Sequence, residues 1–437
     1  LISIQPQADP VVNLASQYLQ MTAEILTIGD ELLIGQTVNT NAAWLGEKLN
    51  QSGFRVGRTT VIADEREAIL SALDDALNRA SLVLVTGGLG PTKDDITKKT
   101  LCEFYQTDLV MHEETLERVE GFFRSRGLEM LDMNRHQAEM PRSCTIIPNY
   151  RGTANGMWFE KDGKVVVSMP GVPHEMQEMV EREILPRAMA FFERPPIYHR
   201  TILTCGMGES YLANAIAAWE ESLAVDQIKL AYLPTPGIVK LRMSSYSGES
   251  YKEVQERIKK REEELHGIIG EIIFGYEQDT LAGVLGRLLI DRGQTLCVAE
   301  SCTGGYLSHL ITSVPGASDF FAGGVVAYTY SMKDHQLGVS GGMLASEGAV
   351  NETTALQMAR GAKDRLQTTF AISTTGIAGP SGGTEDNPVG TVWVGIAGPD
   401  RAFAHKFRFG KSRERIILMS SIAGLDLLRK EILGIGV

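Results

Sequence analysis

A serine that attacks a carbonyl needs a base to take its proton and donors to hold the oxyanion. Residues 295–313, TLCVAESCTGGYLSHLITS, offer such a serine. The order reads as buried strand, tight polar turn and helix, so Ser301 is expected at a helix start whose amides point outward. Gly304 and Gly305 let a substrate come close to the backbone. The base candidates in this third of the chain are His309, His335, His405 and the lysines. Lys333, in AYTYSMKDHQLGV, follows a second apolar strand and is expected to reach the same cleft. To serve as a base it must be neutral, which requires desolvation or a nearby positive charge to bring it down from ~10.4. Cys302 is the rival nucleophile, since a thiolate attacks more readily than an alkoxide. A second glycine-rich stretch, residues 373–395, has the composition of a loop around a phosphate or ribose. Arg413, with Arg415 close by, is a candidate clamp for a carboxamide or phosphate.

The N-terminal half carries a different set, in VTGGLGPTKDDITKKTL. Gly87, Gly88 and Gly90 leave a strand tip open, Thr92 and Thr97 supply hydroxyls, and the helix expected from residue 94 onward attracts phosphate. Asp94 and Asp95 are paired carboxylates beside that loop, a pattern that holds a divalent cation such as magnesium. Asp30 and Glu31 are further candidates for a metal or ribose contact.

Each residue alone has a plainer reading. Ser301 is a helix cap, Lys333 a solvated lysine, Cys302 a small packing residue, and Tyr328 part of a core. Arg413 is a surface residue, Asp94 and Asp95 are favourable charges at a helix start, and a glycine cluster is a turn. Only the ordered combination reverses these readings.

The elements that must position these groups follow from hydrophobic period. From residue 23 the chain alternates apolar strand, polar turn and amphipathic helix, the signature of a parallel sheet covered by helices. A hairpin is expected to turn at KDGK, residues 161–164. Pro195 and Pro196 mark a boundary. A β-α-β-β-α-β run then follows, with its two central strands joined at Pro236-Gly237. The expected division is an N-terminal extension over 1–20, a first domain over 21–194, a middle domain over 195–276 and a last over 277–437. The hydrophobic fraction of 43% with 22% charged residues is that of a globular chain. A formal charge of -12 disfavours a nucleic-acid partner. The five cysteines lack the paired short spacings of zinc sites and read as reduced thiols, which with the absence of a long apolar run gives a cytoplasmic expectation without membrane contact.

ESCTGG, the Tyr328 and Lys333 pair, TTGIAGPSGG and PVGTVW occur in one order over about 160 residues. Together they resemble the C-terminal domain of the competence/damage-inducible protein A (CinA) family, a nicotinamide mononucleotide amidohydrolase. The resemblance implies a catalytic Ser301 and Lys333 supported by Tyr328 and Arg413, with Ser318 as a neighbour and no cofactor. Substrate contacts are expected from Cys302, Thr303, Gly304, Gly305, Thr375, Gly376, Gly379, Gly382 and Gly383. EILTIGDELLIGQTVNTNAAWL, VTGGLGPTKDDITKKTL and MPGVPHEM are similar to the molybdopterin-binding fold of the same family, which implies metal-dependent ADP-ribose pyrophosphatase activity. The expected architecture is thus a multi-domain α/β chain: a molybdopterin-binding-like three-layer α/β domain, a small KH-like α+β middle domain and a C-terminal α/β amidohydrolase domain. A homodimer is the family expectation. The middle loop, Gly206-Met207-Gly208-Glu209, departs from the GXXG clamp and brings in an acid, which argues against RNA binding. The alternatives are a pterin-binding or carrier protein and a competence-associated binding protein.

Overall fold

The computed structural model describes residues 22–90, 92, 95–192, 198–245 and 251–436, except the side chain of Tyr251. The expected 1–20 extension, the Pro195-Pro196 boundary and Asp94 lie outside the described residues. The chain forms two compact units that divide near residue 197.

The first unit begins with β1 (Thr22–Ile28), α1 (Thr40–Gln51), β2 (Arg55–Ile62), α2 (Arg66–Arg79) and β3 (Leu82–Thr86). It continues through α3 (Thr97–Phe104), β4 (Leu109–Met111), α4 (Glu113–Ser125), β5 (Glu139–Pro141), β6 (Thr145–Ile147), β7 (Gly156–Lys161), β8 (Lys164–Met169), α5 (Pro173–Met179) and α6 (Leu185–Phe191). The main sheet runs β2-β1-β3-β8-β7-β6. Strands β2, β1, β3 and β8 are parallel, and β8, β7 and β6 are antiparallel. Alternate side chains go to opposite faces. Ile25, Leu84 and Val167 pack with Leu45 and Leu49 of α1, while Leu26, Val85 and Val166 pack with Ile69 and Leu73 of α2. Apolar burial on both faces explains why β3 is a continuous LVLVT run. The hairpin turns at Asp162 and Gly163, both with positive φ, as KDGK led us to expect.

One boundary differs from expectation. The helix expected from residue 94 begins only at Thr97. The amide and hydroxyl of Thr92 both donate to Asp95 Oδ2, and the Asp95 amide donates to Thr92 O at 3.2 Å. A carboxylate that closes its own turn competes with helix formation, so the chain winds only after it.

The second unit opens with β9 (Tyr198–Cys205), α7 (Glu209–Ser222), β10 (Ile228–Thr235), β11 (Ile238–Ser245), α8 (Tyr251–Ile269) and β12 (Ile273–Tyr276). Its antiparallel sheet runs β10-β11-β9-β12. There follow α9 (Leu281–Asp291), β13 (Leu296–Glu300), α10 (Tyr306–Thr312), β14 (Phe321–Val326), α11 (Tyr330–Leu337), α12 (Gly341–Glu347) and α13 (Glu352–Leu366). The chain ends on β15 (Phe370–Gly376), β16 (Thr391–Ala397), β17 (Ala402–Arg408) and α14 (Arg413–Leu433). This sheet runs β14-β13-β15-β16-β17, parallel among the first three and antiparallel beyond. Met358 and Ala359 of α13 cover one face, and Leu285, Leu307 and Leu428 of α9, α10 and α14 cover the other.

Leu203, Cys205 and Phe274 of the KH-like module belong to the same apolar core as the C-terminal sheet. The buried Arg429 guanidinium ties the two parts, donating to Asp426 Oδ1 at 2.9 Å, Glu271 O at 3.0 Å and Ile273 O at 3.3 Å. A buried cation paired and hydrogen-bonded in this way is costly to break, because its loss strands the partner charge. The loop at Gly206 faces Asp426 and Lys430 of α14. The place where a KH clamp would hold a phosphate backbone is thus lined by the protein's own helix. Among the described residues no helix is long and apolar enough to cross a membrane.

Candidate active site

The chain runs from β13 to β14 on one side and then crosses to β15 on the other. That reversal leaves a crevice at the carboxyl ends of β13 and β15, where open α/β sheets bind ligands. Ser301 is the first residue after β13 and is 8% exposed. Its amide donates to Thr374 O at 2.9 Å, and the Ala327 amide donates to Glu300 O at 2.8 Å, so both neighbouring strands fix the turn. Lys333 lies on α11, which Thr329 caps by accepting from the Met332 amide at 3.2 Å. The helix directs Lys333 inward, and it is 1% exposed.

The two side chains meet. Lys333 Nζ lies 2.8 Å from Ser301 Oγ, 2.8 Å from Ala327 O and 3.4 Å from Tyr328 O. Burial lowers the Lys333 pKa to about 8. A neutral amine has two hydrogens and one lone pair. With its hydrogens on the two carbonyls, the lone pair is left for the Ser301 hydroxyl. Cys302, also buried, has its thiol pushed up to about 12 by desolvation. It stays protonated at neutral pH, which removes its advantage as a nucleophile.

A cavity of about 510 Å³ opens on this pair, lined by Ser301, Cys302, Tyr328, Lys333, Thr375, Gly376, Gly382 and Arg413, among others. Arg413, the first residue of α14, donates to Gly379 O at 2.8 Å and to Tyr328 Oη at 3.0 Å. Tyr328 is not core: it is 58% exposed. Arg415, two residues after Arg413, lines a separate cavity instead. Thr303, Gly304 and Gly305 form the turn behind Ser301, with Thr303 Oγ1 2.7 Å from Thr374 Oγ1. Gly379 and Gly383 lie tight against Val389 and shape the loop.

Two expectations need correction. Ser318 is exposed in the turn before β14, at the opposite end of the parallel strands from Ser301, so it is no neighbour of the pair. Nor does Ser301 sit on the first turn of a helix: α10 starts five residues later, and the Glu300 carboxylate takes its leading amides at Leu307 and Ser308. Glu300 stood inside ESCTGG without a role because only the folded turn shows where its carboxylate goes. The cavity is also lined by Tyr330, the first residue of α11, and by Asp386 and Asn387, polar residues of a long loop that carry no periodic signal in the sequence.

The first unit has a larger cavity, about 910 Å³, lined by Gly88, Gly90, Thr92, Asp95, Lys98, Lys99, His136 and Gln137, among others. Gly88 has φ +64°, and a Cβ there would lie 2.1 Å from Thr97 Oγ1, so the loop requires glycine. Gly87 precedes it against Ile28 O. Thr97 is fully buried, and its hydroxyl has no partner among the described residues. Asp30 and Glu31 are exposed on a single helical turn after β1, and the Asp64 amide donates to Asp30 Oδ1 at 3.4 Å. Lys98, unassigned from sequence, donates to the carbonyls of His136, Gln137 and Glu139 at 3.2, 3.4 and 2.9 Å. Desolvation lowers its pKa to about 8. Among the described residues no group of three or more His, Cys, Asp or Glu stands together to hold a metal. Asp95, engaged with Thr92, offers at most part of a ligand set.

Comparison with known proteins agrees with this architecture. Residues 24–190 match a probable molybdopterin binding domain, 199–275 the damage-inducible protein CinA KH domain and 278–432 the CinA C-terminal domain. A CinA-like protein of Cytophaga hutchinsonii is 41% identical over 410 residues, covering 94% of this chain and 98% of its own. One of Flavobacterium psychrophilum is 42% identical over 418 residues, covering 94% and 99%. A solved Thermoplasma acidophilum CinA structure, described as of unknown function, is 36% identical and covers 37% of this chain and 94% of its own, with a TM-score of 0.35. Identity of 41% and 42% over nearly the whole of this chain and of the Cytophaga hutchinsonii and Flavobacterium psychrophilum relatives, with three domain matches in the same order, makes this chain a member of the CinA family.

Proposed function

We propose that the C-terminal site is a serine amidase that converts nicotinamide mononucleotide and water to nicotinic acid mononucleotide and ammonia. The 2.8 Å contact between Lys333 Nζ and Ser301 Oγ, buried at the base of a nucleotide-sized cavity, carries this reading. Lys333 takes the hydroxyl proton as Ser301 Oγ attacks the carboxamide carbon. The amides of Cys302 and Thr303 have no backbone acceptor among the described residues, which leaves them for the oxyanion. Protonated Lys333 then gives its proton to the departing ammonia, and water, deprotonated by the same amine, resolves the acyl-enzyme. Arg413 and Tyr328 form a bonded pair at the mouth, suited to a phosphate or carboxamide oxygen. The test is ammonia release from nicotinamide mononucleotide by wild type, Ser301→Ala and Cys302→Ala. Full activity in Ser301→Ala would remove the serine from the mechanism.

For the first unit we propose cleavage of ADP-ribose at its pyrophosphate, supported by the glycine loop and by Lys99 at the cavity wall. Asp95 suits a magnesium ion held chiefly by substrate phosphates and water rather than by a protein cage. Such an ion would neutralise charge on the leaving phosphate. The match to a probable molybdopterin binding domain favours a second reading, a pterin site without hydrolysis. Assays of AMP and ribose 5-phosphate released from ADP-ribose, with and without magnesium, beside pterin fluorescence of the purified protein, separate the two.

A further inference from the structure

Glu300 is fully buried, and no cation pairs with its carboxylate among the described residues. An ionised carboxylate in that position is tolerable only when hydrogen bonds replace its hydration. Four do: Oε2 accepts from the Gly305 amide at 2.9 Å and the Leu307 amide at 3.0 Å, and Oε1 from the Ser308 amide at 2.8 Å and the Ser308 hydroxyl at 2.6 Å. All four donors lie beyond Ser301, so the carboxylate pulls residues 305–308 back over the strand end and forces 301–304 into a tight turn. Gly305, at φ +101°, is where the backbone reverses to aim its amide at the carboxylate. On its main-chain side Glu300 accepts from the Ala327 amide at 2.8 Å, and the Ala327 carbonyl accepts from Lys333 Nζ at 2.8 Å. One residue therefore anchors the nucleophile's turn through its side chain and the base's carbonyl through its backbone.

We propose that Glu300 is the positioning residue of the Ser301–Lys333 pair, its buried anion setting the turn that holds the hydroxyl on the amine. This rests on the amidase reading for the identity of the reacting groups, but its test needs no nucleotide. A fluorophosphonate reports the pair directly: Ser301 Oγ bonds to phosphorus, fluoride leaves, and the hydroxyl proton goes to Lys333. In the full chain, Glu300→Gln keeps the volume but sets an NH2 group against donors. Labelling of Ser301 at pH 9, where Lys333 is largely neutral, should fall about 100-fold, the scale of a misplacement near 1 Å. The nicotinamide mononucleotide KM should stay within about 2-fold while kcat falls with the labelling rate, because ground-state contacts are untouched. Ser308→Ala, which removes one bond of the four, should lower labelling several-fold, and it stands in should the glutamine variant not fold. Unchanged labelling in either folded variant overturns the proposal. Normal wild-type labelling that depends on Lys333, together with no ammonia release, overturns the amidase reading and leaves the positioning role standing.

Discussion

The two cavities of this chain are both built at the carboxyl ends of parallel strands beside glycine turns, yet they differ in readiness. In the C-terminal cavity the Ser301 hydroxyl and the Lys333 amine already touch, the lysine is desolvated, and the turn beneath them is fixed by a buried carboxylate. In the N-terminal cavity the carboxylate of Asp95 is bonded to its own loop, and the buried Thr97 hydroxyl next to Gly88 has no partner among the described residues. On the proposed reading, the first is a reaction centre complete in the protein alone. The second is a cradle whose chemistry depends on what the ligand brings. Proton transfer needs only side chains at fixed distance, whereas cleavage of a phosphoanhydride needs charge neutralisation that substrate-bound metal usually supplies.

This contrast can be broken by experiment. The largest effect belongs to the pair: Ser301→Ala and Lys333→Met should each lower ammonia release by about 10³-fold or more, with ADP-ribose turnover unchanged. Cys302→Ala, by comparison, should stay within a few-fold, because its thiol is protonated. Retained activity in Lys333→Met would show that the contact is not the source of the base. Next comes the loop of the first unit. Gly88→Ala drives a Cβ into Thr97 and should abolish ADP-ribose binding by calorimetry while leaving the amidase intact; loss of both activities would mean that the two sites are not independent.

Arg413→Ala should raise KM for nicotinamide mononucleotide about 10-fold, and Arg415→Ala should not. Equal effects would mean that the arginine lining this cavity is not the one that binds substrate. The pH dependence is sharper in sign than in size. Lys333 acts when neutral, so kcat/KM should rise through about pH 8 and flatten above it. Its folded pKa lies below the unfolded value, so the unfolded chain binds more protons between them and stability rises with pH across about 8 to 10.5. Lys333→Met should therefore melt a few degrees above wild type at pH 6, by scanning calorimetry, and lose that advantage toward pH 10. A variant less stable at pH 6 would contradict a desolvated amine.

Much of the fold could be read from the residues in order. The LVLVT run, the KDGK turn and the β-α-β-β-α-β sequence depend on side-chain period and turn chemistry, which are local, and each appears where its pattern predicts. The helix starts at Thr97, later than its propensity predicts, because the competing bond from Thr92 to Asp95 outweighs a preference for winding earlier. Ser318 lies away from the pair because nearness in a motif says nothing about which end of a strand a residue occupies.

Residue types fixed which groups were available: one serine in a strand-turn-helix, one lysine after the next strand, and a glycine loop to cover them. Their order along the chain was sufficient to identify the family. Folding alone decided that the amine lies on the hydroxyl, that the thiol is silenced and that Glu300 holds the turn. Those properties come from desolvation and from hydrogen bonds, Lys333 to Ser301 across 32 residues and the Gly305, Leu307 and Ser308 donors to Glu300 within the turn, and such terms take a value only once the surrounding side chains have excluded water.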